Sequence, residues 1–261
     1  MNKEALAILN KYKDLKVRCE LTNETENSAD IYLYGQIVDE KPVNWWTGKE
    51  EEGEFIYPEN IRKLVNDAGD KEINLHINST GGSIYASISI HNFLKQAKNK
   101  INVYIDGIAA SGASIIAMAA DKIFMPENTT MMIHRAAVGV YGNVETLRKV
   151  ANTLEKFDET VLNSYKERFI GEIEELKALI EDETYLTATE CKSLGLCDEI
   201  LNEQPELKEP QTEDIKNQIL NKYMNKVKEP QAQTSTKPTK VVENKNKIAI
   251  QNLFKKLGGM E

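Results

Sequence analysis

Apolar and polar residues alternate along several short stretches of the chain. Ile31, Leu33 and Ile37 alternate around Gly35, which predicts a strand over residues 30–38. Ile73, Leu75 and Ile77 repeat the pattern, and Gly81-Gly82 ends it; Ile101, Val103 and Ile105 repeat it once more. Shorter apolar runs predict further strands at residues 123–125 and 131–134. Between these runs the apolar spacing changes to three and four. Ile61, Leu64 and Val65 predict a helix over residues 58–68; Ile84, Ile88 and Leu94 predict one over 83–97. A run of small residues predicts another over 111–120. Strand and helix alternating at this spacing predict an α/β fold with a largely parallel sheet.

Beyond Gly142 the pattern lengthens. Val144, Leu147, Val150, Leu154, Phe157, Val161 and Tyr165 form one helical stripe, suited to a core or to a helix–helix interface. A second helix is predicted at residues 173–180. Thr187 with Glu190 three residues on predicts an N-cap for residues 188–194, with Gly195 as the C-cap. Trp45-Trp46 and the acidic run that follows read as a loop or extended insertion. Past residue 202 prolines, lysines and amides dominate. Residues 231–240 read as a linker, and 248–257 as a short basic amphipathic helix or a solvated tail. The expected division is an extension over 1–29, a domain over 30–202 and a low-complexity linker and tail over 203–261.

Charge and cysteine content narrow the function classes. A net charge of -8 over 261 residues argues against general nucleic-acid binding. Cys19, Cys191 and Cys197 are odd in number and contain no CxxC, which fits reduced thiols in a cytoplasm. The first 16 residues are charged, so no signal peptide is expected, and no apolar run is long enough for a membrane span.

Chemistry gathers at the predicted strand ends. Asp106-Gly107-Ile108-Ala109-Ala110-Ser111-Gly112 would set the Ser111 hydroxyl at a helix start. Asn78-Ser79-Thr80-Gly81-Gly82 ends another strand with amides that no side chain shields, so Gly82 and Gly112 are the expected oxyanion donors. Acyl transfer also needs a base. His76 falls mid-strand and His91 inside an apolar helix, whereas His134 ends a strand, which makes it the best placed of the three.

Together these pieces resemble the proteolytic subunit of the Clp protease and its viral relatives. Leu33-Tyr34-Gly35-Gln36-Ile37, Ile77 to Gly82, Gly107 to Ser111, Met132-Ile133-His134, Tyr185-Leu186-Thr187-Ala188 and Gly195-Leu196-Cys197-Asp198-Glu199-Ile200 carry the resemblance. It implies a fold of repeated ββα units in a superhelix, related to the crotonase fold, with a long protruding handle helix. Ser111 would be the nucleophile and His134 the general base. Glu183, with Asp182 as its neighbouring alternative, would be the acid that orients the histidine. No cofactor or metal is implied. The family implies homo-oligomeric rings, seven-fold, single or stacked.

Thr80 where the housekeeping enzymes usually carry proline, the Trp45-Trp46 insertion and the long tail are similar to the head maturation (prohead) proteases of tailed phages. That branch implies capsid and scaffold proteins as substrates, a tail that is a self-cleaved or capsid-docking segment, and a location in the host cytoplasm or the procapsid, with no nucleic-acid or membrane partner. The alternatives are an accessory or housekeeping peptidase fed by an ATP-driven unfoldase, a ring-forming structural protein, and an acyl-CoA enzyme of the crotonase type.

Overall fold

The computed structural model describes residues 18–51, 55–201 and 209–228, with side chains given for 215–224 of the last segment. The elements that position the site lie in one compact unit, Met1–Lys226. The strands are β1 (Arg18–Thr22), β2 (Ser28–Ile37), β3 (Glu72–Gly82), β4 (Ile101–Ala110), β5 (Lys122–Pro126), β6 (Thr130–Ile133), β7 (Thr184–Thr187) and β8 (Glu199–Leu201). The helices are α1 (Pro58–Asp67), α2 (Ile84–Gln96), α3 (Gly112–Ala117), α4 (Val144–Lys166), α5 (Ile173–Glu181), α6 (Ala188–Ser193) and α7 (Glu209–Lys228).

The main path of the sheet is β1-β2-β3-β4-β5-β8, parallel except for β1. β4 is long enough to serve two neighbours. Asn102–Tyr104 pair with β5, while Ile108–Ala110 pair with β6, which in turn pairs antiparallel with β7. The far end of β4 thus leaves the main path and carries Ser111 toward the strand that carries His134.

Alternation decides which face is buried. In β3, Ile73, Leu75, Ile77 and Ser79 point into the core. The opposite face carries a half-buried ladder of stacked rings, Tyr32, His76, Tyr104 and Phe124, with neighbouring centroids 4.6, 5.1 and 4.8 Å apart. His76 is further held by Asp106 at 2.9 Å.

Some elements differ from the sequence pattern. The sheet begins earlier than residue 30, because β1 pairs with β2. In α2 the buried positions are Ala86, Ser87, Ile90 and Leu94; Ile84 and Ile88 are only half-buried, and Ile84 faces a cleft. The cap of α6 is Leu194, with Gly195 one residue beyond at φ 77°. Thr187 and Glu190 form the predicted capping box. Past residue 202, α7 buries Ile219 and Leu220 in the core cluster. The linker and helix predicted at 231–240 and 248–257 lie outside the described residues.

Two features project outward. The start of α4 projects, with residues 144–149 exposed; Val161 and Tyr165 are buried toward its far end. The Trp45-Trp46 insertion is a small hairpin. Val43 bridges Glu50, and Asn44 Oδ1 accepts from Trp46 N and Thr47 N. The two indoles meet edge to face at 5.1 Å and are 86% and 79% exposed.

Candidate active site

Ser111 follows β4 directly and caps α3 with φ 56° and ψ −125°. A non-glycine residue in that region is strained. Among the described residues only Asn23, Ser111 and Glu183 share a positive φ without being glycine. Two hydrogen bonds from the α3 amides of Ser114 and Ile115 to Ser111 O, at 3.0 and 3.3 Å, hold the turn, as does Ser111 N donating to Met132 O at 2.9 Å. The Ser111 hydroxyl does not cap the helix. It lies 2.6 Å from His134 Nε2.

His134 is the residue after β6 and is half-buried. The segment beyond it is anchored to α4. Ala136 N donates to Asp158 Oδ1 at 2.9 Å, and Arg135 meets Asp158 at 3.6 Å and Glu181 at 3.3 Å.

The glycine pair of β3 packs against the serine turn. A Cβ on Gly81 would come within 2.6 Å of Ala110 O and 2.8 Å of Gly112 N. A Cβ on Gly82 would overlap Ile37 O, and one on Gly112 would overlap Ser87 Oγ while lying 3.7 Å from Gly82 N. Bare backbone at these positions is therefore a packing requirement, and it brings the Gly82 and Gly112 amides beside each other and beside Ser111.

Glu183 precedes β7. The last pair of the β6–β7 ladder is Ile133 with Thr184, so His134 and Glu183 are the next residues in register on the two chains. Glu183 is exposed, with φ 50°, and its carboxylate makes no hydrogen bond among the described residues. Asp182 is half-buried at the C-cap of α5. The structure thus brings Ser111, His134, Gly82 and Gly112 together, and sets Glu183 opposite His134 in register without a bond to the imidazole.

All four lie on a cleft of about 570 Å³ whose apolar lining includes Ile84, Tyr85, Val138, Leu154 and Phe157. Asp39 also lines it and accepts a hydrogen bond from the Ser83 hydroxyl, next to Gly82. Asp39 and Ser83 are 44 residues apart, and no local pattern announces the pair. A serine beside an imidazole, with two neighbouring amides in an open groove, can attack a carbonyl and hold the resulting oxyanion. The thiols offer no rival nucleophile there. Burial raises the Cys191 thiol well above its ordinary range and pushes Cys197 up to about 11. Among the described residues no cluster of three or more His, Cys, Asp or Glu could hold a metal ion.

The sequence model of the Clp protease family matches residues 26–204, more than half of the chain. The chain belongs to the Clp protease family. As a member it is a serine peptidase with the mixed α/β fold of that family, and Clp protease family proteins typically form oligomeric rings. No helix among the described residues is long and apolar enough to cross a membrane.

Proposed function

We propose that this Clp protease family member is an endopeptidase of a tailed phage that cleaves scaffold and capsid proteins during head maturation. The observation that carries the chemistry is the 2.6 Å approach of Ser111 Oγ to His134 Nε2. Ser111 donates its proton to Nε2 as Oγ bonds to the scissile carbonyl carbon. The carbonyl oxygen becomes an oxyanion held by the Gly82 and Gly112 amides. The intermediate then collapses, the C–N bond breaks, and His134 returns the proton to the leaving amine. Water, deprotonated by His134, hydrolyses the acyl-enzyme and restores Ser111. Glu183 orients the imidazole.

The phage assignment is supported by Thr80, by the Trp45-Trp46 hairpin and by the proline- and lysine-rich tail, in which the proposed self-cleavage falls. The protein would act as a homo-oligomeric ring, seven-fold and single or stacked, in the host cytoplasm or the procapsid. The exposed start of α4 is the element suited to joining two rings.

The test is mass spectrometry of the purified wild type beside Ser111→Ala, before and after a fluorophosphonate. Wild type should carry one adduct, on Ser111, and lose part of its tail; Ser111→Ala should do neither. Absence of an adduct on the assembled wild type would point instead to a structural ring protein. Degradation that requires an added ATP-driven unfoldase, with no tail or capsid processing, would favour the accessory peptidase.

A further inference from the structure

A second hydroxyl stands behind the proposed nucleophile. Ser114 lies in α3 at 0% exposure. Its Oγ is 2.6 Å from Ser111 O, 2.9 Å from Met132 O and 2.8 Å from Tyr165 Oη. A serine hydroxyl has one proton, so it donates to the two carbonyls or to one of them, and the remaining contact runs the other way. The Tyr165 O–H therefore donates to Ser114 Oγ. Tyr165 is near the end of α4 and 1% exposed; burial raises its phenol pKa, so it stays protonated.

The two carbonyls belong to the two elements that must stay in step. Ser111 O is in the strained turn; Met132 O is in β6, two residues before His134, and also accepts Ser111 N. One buried hydroxyl thus links the serine turn and the histidine strand, and a tyrosine from α4 fixes its direction. Neither Ser114 nor Tyr165 lines the cleft.

We infer that Ser114 and Tyr165 are positioning residues for the proposed reaction, holding Ser111 in its strained conformation and at hydrogen-bond distance from His134. The inference rests on the Ser111–His134 assignment. It differs from a purely structural role in what happens when both hydroxyls go. Ser111 O keeps two helix amides and Met132 O keeps Ser111 N, so Ser114→Ala/Tyr165→Phe strands no buried polar group and should melt close to wild type. The restraint between the two elements is nonetheless lost, and small misplacements of reacting groups are costly.

The experiment measures fluorophosphonate labelling of the full-length protein as a saturable rate, separating the maximal rate from the half-saturating concentration. In Tyr165→Phe and in the double variant the maximal rate should fall about tenfold or more. The half-saturating concentration should not change, nor the far-UV signal. An unchanged maximal rate in a folded variant would overturn the inference, leaving the hydroxyls as partners that merely satisfy each other. Tyr165→Phe alone, which leaves Ser114 donating to its carbonyls and strands no buried group, gives the same reading if the double variant does not fold. Wild type that does not label at all removes the nucleophile, and the inference with it; that result is distinct from an unchanged rate.

Discussion

Ser111 and Glu183 both hold a positive φ that glycine would adopt more easily. At Ser111 the strain has a visible use, since the turn directs the hydroxyl to His134 rather than to the helix it caps. At Glu183 the register of β6 and β7 gives the reason to expect one, because it sets this residue opposite His134. Glu183→Gln should therefore lower kcat by about a hundredfold or more with little change in KM, as removal of a histidine-orienting carboxylate does. Asp182→Asn should stay close to wild type. Steady-state kinetics on a peptide substrate distinguish the two, and the opposite ranking would transfer the role to Asp182. The serine, the histidine and the two glycines were legible in the sequence because each sits at a strand end that alternation marks. The Tyr165–Ser114 contact was not, since Tyr165 reads as one more apolar position in a helical stripe. Asp39 was not either, because only the fold brings it to Ser83.

Among elements, the central strands follow their alternation closely, and the long helix runs from Val144 as its stripe predicts. β1 lay hidden because Arg18–Thr22 is short, polar and on the sheet edge. The buried face of α2 departs from its apolar spacing for a different reason. Periodicity marks apolar positions, yet part of this helix borders a groove, so Ile84 faces the cleft while the small Ala86 and Ser87 pack inside. The same helix half-buries His91. Burial lowers its pKa below the ordinary 6.5, with Lys95 adding to this and Asn92 and Glu167 opposing it; Nε2 has no hydrogen-bond partner among the described residues. The unfolded chain then takes up the proton at a higher pH than the folded one. Stability should fall as pH drops through about 6.5. In His91→Gln that part of the decline should vanish, which thermal melts between about pH 7.5 and 5 can measure. Parallel wild-type and variant profiles would assign the acid sensitivity elsewhere.

At the scale of the molecule, the decisive feature is the division of β4 between two neighbours. Its first half completes a conventional parallel sheet with β5 and β8, and its second half joins β6 and β7. A sequence can show two strands of the right kind without showing that both pair with one strand, because pairing is a non-local choice. The strand before Ser111 and the strand before His134 pair through this division. The Trp45-Trp46 hairpin has a consequence of a different sort. These are the chain's two tryptophans, and both already sit in water. Intrinsic fluorescence should consequently be red-shifted in the folded protomer and nearly blind to its denaturation, which circular dichroism would follow instead. A blue shift that grows with protein concentration, with no change in circular dichroism, would then report the covering of this hairpin by a neighbour, giving an optical signal for assembly that the core cannot contaminate.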